Sequence, residues 1–150
     1  MKGTEHLNFT HARTKEQREL MERIAQDGVC PFCWEHFTTY HPKPIEEQSD
    51  WWIVTENISP YEGTTTHLLF VYKEHVVTPA DISEQGWTGL RAVLTNALAR
   101  HSILHGSFFM RFGNMEATGS SVAHLHAHLI VGKPYNESLG EKIRVKLGYK

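Results

Sequence analysis

His124-Leu125-His126-Ala127-His128-Leu129-Ile130 places three histidines at intervals of two residues. In a β-strand the side chains alternate between the two faces, so an extended run would put His124, His126 and His128 on one face. The apolar residues between them would lie on the opposite face and could join a hydrophobic core. The stretch therefore predicts a buried strand that carries a row of imidazoles on one side.

A row of three imidazoles is difficult to explain as ordinary core structure. Each buried ring needs hydrogen-bond partners for its nitrogens, and three neighbouring rings multiply that requirement. Imidazole is also the side chain best suited to proton transfer, metal ligation and nucleophilic attack near neutral pH. The pattern thus favours a catalytic or metal-binding role for the strand.

The composition fits one globular domain without a strongly charged surface. The chain has 150 residues, of which 40% are hydrophobic and 21% charged, and we predict a single domain over residues 1–150. The net charge of −2 gives no overall basic field, so we expect no nucleic acid polymer as a partner. No stretch approaches the roughly 18 apolar residues of a membrane span, and the first residues lack the apolar core of a secretory signal. We therefore predict a cytoplasmic protein that does not associate with membranes.

Two main helices and several short strands are predicted around the histidine strand. Residues 14–28 and 81–106 carry apolar residues at helical spacing, beginning at Thr14 and Asp81 as capping residues. Apolar or alternating runs predict strands at residues 51–54, 67–72, 107–112 and 143–149. The proline-containing segment 29–49 is expected to be irregular. Sequential short strands joined by turns favour an antiparallel α+β sheet.

Cys30-Pro31-Phe32-Cys33 contains the two cysteines of the chain at the spacing of a metal-binding pair. The same spacing occurs in redox dithiols, although that motif normally opens a helix after a strand. A tetrahedral zinc site would need two further ligands, and the chain has 11 histidines to supply them. A zinc site, a redox pair and two plain thiols all remain possible from the residues alone.

The chain resembles the histidine triad superfamily. The stretch from His124 to Ile130 matches the family signature, in which histidine and apolar residues alternate and two apolar residues follow. Further matching segments fall in the expected order along the chain, namely the cysteine pair, Asn57-Ile58-Ser59-Pro60, the segment from His67 to His75 and Gly119-Ser120-Ser121-Val122. The resemblance covers residues 30–131, with residues 1–28 as an N-terminal helical extension.

The resemblance implies a fold, a substrate class and a metal. Family members have a five-stranded antiparallel sheet with helices, usually pair as homodimers, and act on a phosphate joined to a nucleoside. In zinc-containing members the four ligands match Cys30, Cys33, His75 and His124. The implied zinc ion is structural, because four protein ligands leave no open position.

The resemblance also implies a role for each site residue. His126 matches the nucleophile, which attacks the α-phosphorus and forms a nucleotidyl-histidine intermediate, with His124 and His128 completing the catalytic triad. Residues expected to bind substrate are Asn57, Asn114, Gly119, Ser120 and Ser121. Ser120 replaces a glutamine that many family hydrolases carry beside the leaving group. Asn57 lies near the position of an acidic residue that often binds ribose.

The implied function is a nucleotide hydrolase that cleaves a dinucleoside polyphosphate or a nucleoside phosphoramidate at the α-phosphate. His128 favours hydrolysis, since family members related to hexose-1-phosphate uridylyl transfer tend to carry glutamine at that position. A nucleotidyl transferase is the first alternative. A nucleotide-binding regulatory protein with little catalysis is the second, and it is motivated by the residues found at Ser120 and Asn57.

Overall fold

A five-stranded antiparallel sheet organises the structure, a computed structural model that describes residues 5–150. The strands are β1 (Ile45–Gln48), β2 (Trp52–Glu56), β3 (Thr66–Tyr72), β4 (Ser107–Arg111) and β5 (His126–Val131). Their order across the sheet is β1-β2-β3-β5-β4, and every neighbouring pair is antiparallel. The predicted α+β class and the five-stranded antiparallel sheet are confirmed.

Two long helices accompany the sheet, as predicted, together with three short ones. The helices are α1 (Lys15–Asp27), α2 (Trp34–Tyr40), α3 (Glu84–Arg100), α4 (Met115–Thr118) and α5 (Tyr135–Ser138). The hydroxyl of Thr14 caps α1 by accepting from the backbone N–H of Gln17. The cap of α3 is Ser83 rather than Asp81, because its hydroxyl accepts from the Gly86 N–H. None of the helices within residues 5–150 is long and apolar enough to cross a membrane.

The two faces of the sheet have different environments. Helix α3 covers one face, where Leu90 and Val93 pack in the same cluster as Phe70, Ala127 and Leu129. The alternation along β5 turns its histidines to the opposite face. The main core thus lies on the α3 side of the sheet, and the histidines share the other face with a smaller apolar cluster that includes Leu69 and Val71.

Two regions differ from the sequence prediction. Segment 29–49 is not wholly irregular, because it contains α2 and also β1, which pairs with β2 across a bulge between Ile45 and Glu47. Residues 143–149 alternate in polarity but form no strand. A strand needs a neighbouring strand as its hydrogen-bond partner. Here the Lys146 carbonyl instead accepts hydrogen bonds from the Arg111 side chain. Residues 1–4 of the predicted N-terminal extension lie outside the described residues.

Candidate active site and metal centre

Strand β5 holds two of the predicted histidines at the centre of the sheet. His126 pairs with Val71 on β3 and with Arg111 on β4, and His128 is paired in the same way with Leu69 and Phe109. Both imidazoles are buried, with exposed fractions of 6% and 5%. His124 lies two residues before the strand begins and is fully buried.

The hydrogen bonds of His126 leave one of its nitrogens free. Its Nδ1–H donates to the His124 carbonyl at 2.8 Å, so the lone pair of the neutral ring is on Nε2. Burial lowers the pKa of His126 to about 4, and the positive charge of Arg111 acts in the same direction. The ring is therefore neutral near pH 7 and can act as a nucleophile.

His128 is held in the opposite tautomer by a chain of hydrogen bonds. The backbone N–H of Tyr61 donates to His67 Nδ1 at 3.1 Å, so the hydrogen of the His67 ring is on Nε2. The His67 Nε2–H donates to His128 Nδ1 at 2.8 Å. His128 consequently carries its own hydrogen on Nε2, where it can donate to a phosphate oxygen.

The sequence pattern predicts no role for His67, although a signal is present. In the run from His67 to Val71, the alternation puts His67 on the same face as Leu69, the residue that pairs with His128. Burial, followed by the charges of Arg13 and Arg111, lowers the pKa of His67 to about 4. The neutral His67 ring thereby keeps the hydrogen-bond chain in one tautomeric state.

The four predicted metal ligands come together in one cluster. Cys30 Sγ lies 3.4 Å from His124 Nδ1, and Cys33 Sγ lies 3.3 Å from His75 Nδ1. The two imidazole Nδ1 atoms are 3.2 Å apart, and all four ligand atoms lie within 4.8 Å of one another. Zinc bonds of about 2.0–2.3 Å put tetrahedral ligand atoms about 3.3–3.8 Å apart. The cluster therefore has the dimensions of a zinc site.

The chemistry of the ligand set also fits a cation. His124 Nε2–H donates to the Tyr72 carbonyl, which leaves the lone pair of Nδ1 directed at the cluster. Burial and the neighbouring Cys30 raise the pKa of Cys33 to about 12. The protein alone thus provides no charge that would stabilise the thiolates, whereas a divalent metal ion would.

A cleft of about 1590 Å³ opens above His126 and His128. Segment 57–63 between β2 and β3 forms part of its wall, together with Arg13 before α1 and Arg111 at the end of β4. Residues 137–146 of the C-terminal segment form another part of the wall. The histidines are therefore buried at the base of a cleft that is large enough for a nucleotide.

Comparison with known proteins identifies the fold. No protein-family model matches the chain, and no curated protein matches it either. A solved HIT family hydrolase from Clostridium thermocellum is 24% identical, with a TM-score of 0.58 over 77% of this chain and 96% of that one. A histidine triad protein from Clostridium difficile is 21% identical, with a TM-score of 0.55 over 70% of this chain and 91% of that one. The chain has the histidine triad fold.

A third structure with the histidine triad fold bears on the metal cluster. It is a Zn-bound histidine triad family protein from Mycobacterium smegmatis, 21% identical, with a TM-score of 0.56 over 81% of this chain and 84% of that one. The cluster of two cysteines and two histidines found here has the composition of a zinc site.

Within the histidine triad fold, the predicted substrate-binding residues divide into two groups. Asn57, Gly119 and Ser121 line the cleft. Ser120 is buried, and its hydroxyl donates to the Val122 carbonyl at 2.8 Å. The side chain of Asn114 caps α4 by accepting from the backbone N–H of Glu116. The side chains of Ser120 and Asn114 thus have local partners and do not belong to the wall of the cleft.

The side chain of Asn57 is fixed by its neighbours. Its Oδ1 accepts from the Ser59 N–H at 2.8 Å, which holds the amide in place beside the His67 ring. This side chain therefore supports the loop beside the histidine pair. Its predicted contact with ribose stays a prediction.

Proposed function

We propose that this protein is a nucleotide hydrolase that cleaves a dinucleoside polyphosphate or a nucleoside phosphoramidate at the α-phosphate through a nucleotidyl-histidine intermediate. The observation that carries the proposal is the pair of imidazoles at the base of the cleft. His126 presents an unprotonated Nε2 beside the Nε2–H of His128. A nucleophile next to a fixed hydrogen-bond donor is what in-line attack on a phosphate ester requires.

The reaction has two displacement steps. In the first, the lone pair of His126 Nε2 forms a bond to the α-phosphorus while the bond to the leaving group breaks and its electrons depart with that group. In the second, a water oxygen bonds to phosphorus, the P–N bond breaks, and its electrons return to Nε2. An amine leaving group takes up a proton from solvent as it departs in the first step, and the attacking water releases its proton to solvent in the second. His128 stabilises both steps by donating to a phosphate oxygen.

We also propose a structural zinc ion held by Cys30, Cys33, His75 and His124. With four protein ligands, the ion would supply structural crosslinking rather than an activated water. His124 then acts as a positioning residue, because its carbonyl accepts from His126 Nδ1. Metal analysis of the purified protein should find about one zinc per chain, and Cys33→Ser should reduce that content.

The direct test is to trap the intermediate. The protein is mixed with diadenosine tetraphosphate or adenosine phosphoramidate, quenched without acid, and measured by intact-mass spectrometry. We expect an adenylyl adduct on the parent protein. Both the adduct and turnover should be absent in His126→Ala. The matched control is His105→Ala, because His105 is exposed and lies outside the cleft. Undiminished turnover in His126→Ala would contradict the proposal.

A nucleotidyl transferase is the alternative that the size of the cleft supports. Its volume of about 1590 Å³ leaves room for an acceptor in place of water. Turnover in the presence of inorganic phosphate or a sugar phosphate would then yield the nucleotidylated acceptor. Nucleotide binding with neither adduct nor product would instead support the regulatory alternative.

The homodimer and the cytoplasmic location stay predictions. Size-exclusion chromatography with light scattering measures the first. Fractionation of cells that contain the protein measures the second.

A further inference from the structure

Two arginines from distant parts of the chain meet over one aromatic ring at the edge of the cleft. The guanidinium carbon of Arg13, which precedes α1, lies 4.3 Å from the centre of the Tyr61 ring. The guanidinium carbon of Arg111, at the end of β4, lies 5.9 Å from the same centre, and its Nη2 donates to the Tyr61 hydroxyl at 2.9 Å. The ring thus holds two positive charges close together.

Neither charge is neutralised within residues 5–150. The ion pairs found there involve other cations, and neither arginine makes one. Arg13 donates to the Ser59 carbonyl, and Arg111 donates through Nε and Nη2 to the Lys146 carbonyl. Carbonyl oxygens satisfy these N–H groups but supply no negative charge. Two adjacent guanidinium groups without a carboxylate therefore form a site for an anion.

The position of the pair relates this site to the reacting phosphate. Arg111 Nη1 lies 3.4 Å from His128 Nε2, the atom that carries the hydrogen available to a phosphate oxygen. Both nitrogens are donors, so an oxygen anion between them would satisfy both. Arg13 contacts the same Tyr61 ring, and its positive charge, like that of Arg111, acts on the buried His67 and His128 rings. An α-phosphate at His126 would thus have donors next to it and a second positive charge nearby.

We propose that Arg13 and Arg111 bind the phosphates that follow the α-phosphate, and that the substrate is therefore a nucleoside polyphosphate, the class that includes dinucleoside polyphosphates, rather than a phosphoramidate. This inference rests on the proposed attack of His126 at the α-phosphate. A phosphoramidate offers no further phosphate to the pair, and its leaving group gains nothing from two positive charges. A polyphosphate leaving group takes on negative charge as the bond breaks, which guanidinium groups stabilise.

The experiment measures nucleotide binding in the absence of turnover. In a His126→Ala background, isothermal titration gives the Kd values of AMP, ADP and inorganic tripolyphosphate at fixed ionic strength. Each additional phosphate bound by a guanidinium should tighten binding about tenfold or more. We expect ADP to bind at least tenfold more tightly than AMP, and this ratio should fall toward one in Arg13→Gln and Arg111→Gln.

Two further variants separate charge from structure. Arg111→Lys keeps the positive charge and should recover part of the ratio. Arg18→Gln removes a positive charge from α1 outside the cleft and should leave the ratio unchanged. Arg13 is exposed, so its replacement tests the inference even if Arg111→Gln fails to fold. Equal Kd values for AMP and ADP in the parent, or an undiminished ratio in Arg13→Gln, would overturn the inference.

These titrations, together with the adduct experiment on the protein that retains His126, distinguish this inference from the proposed function. If the arginines determine the ADP to AMP ratio but no adduct forms on His126, the polyphosphate site stands and the hydrolase proposal fails. If an adduct forms on His126 and the ADP to AMP affinity ratio does not change in the arginine variants, the hydrolase proposal stands and this inference fails. Tripolyphosphate gives an answer without a nucleoside, since its affinity should fall in both arginine variants.

Discussion

Replacing His67 with Phe tests whether the hydrogen-bond chain sets the tautomer of His128. Phe fills a similar volume but removes both ring nitrogens. His128 Nδ1 then loses its donor at 2.8 Å, and the Tyr61 N–H loses its acceptor at 3.1 Å. Each buried group left without a partner costs about 1–3 kcal/mol. The Tyr61 group is only partly buried, so we expect a total loss of about 2–4 kcal/mol in the free energy of unfolding.

Urea denaturation measures this loss as a shift of the midpoint at constant slope. His105→Phe is the matched control, because its ring is exposed and makes one long contact, at 3.3 Å, with the Gly132 carbonyl. It should change stability by less than about 0.5 kcal/mol. Nitrogen-15 NMR of the imidazoles reports the tautomer directly, and His128 should lose its pure Nε2–H state in His67→Phe. An unchanged His128 tautomer with an unfolding free energy within about 0.5 kcal/mol of the parent would refute the reasoning.

Three other predictions concern pH, the metal and the C-terminal segment. Burial lowers the pKa values of His41 and His67 to about 4, so below about pH 6.5 the unfolded chain binds more protons than the folded one. The free energy of unfolding, measured by denaturant titration, should therefore decrease between about pH 6.5 and 4, by at most about 1.4 kcal/mol per pH unit for each histidine. A chelator should lower the Tm of the parent protein but have little effect on Cys33→Ser, as measured by calorimetry. Gly119→Ala should destabilise by about 1–2 kcal/mol, because φ is +77° and the added Cβ would lie 3.0 Å from Lys146 Cβ; an unchanged Tm would contradict this.

Local sequence patterns predicted the parts of the fold in which periodicity and burial agree. Strand β5 and helix α3 have unambiguous periods of two and 3.6 residues, and both form close to where expected. Residues 143–149 have an equally regular pattern but no strand, because a strand exists only where another strand supplies hydrogen bonds. That partner is a property of the whole fold, and the local pattern carries no information about it.

The candidate site could be predicted only in part, for a related reason. The predicted metal ligands and His126 occur in motifs of fixed spacing, which a sequence displays directly. Arg13 and Arg111 belong to no motif, and they meet only because the segment before α1 and the end of β4 approach the same ring. Ser120 shows the converse, since its motif position does not specify the partner of its side chain, and its hydroxyl bonds to the Val122 carbonyl.

The three histidines of the triad have the same side chain and nearly the same spacing, yet their hydrogen bonds assign them three different roles. His124 directs Nδ1 at the metal cluster because Nε2–H donates to the Tyr72 carbonyl. His126 presents a free Nε2 because Nδ1–H donates to the His124 carbonyl. His128 presents an Nε2–H because its Nδ1 accepts from His67. In the proposed mechanism, the backbone carbonyls at 72 and 124 and the imidazole of His67 therefore determine which ring binds the metal, which one attacks and which one donates. Of these three groups only the imidazole of His67 is a side chain outside the triad, so His67→Phe should change the tautomer of His128 without altering a triad residue.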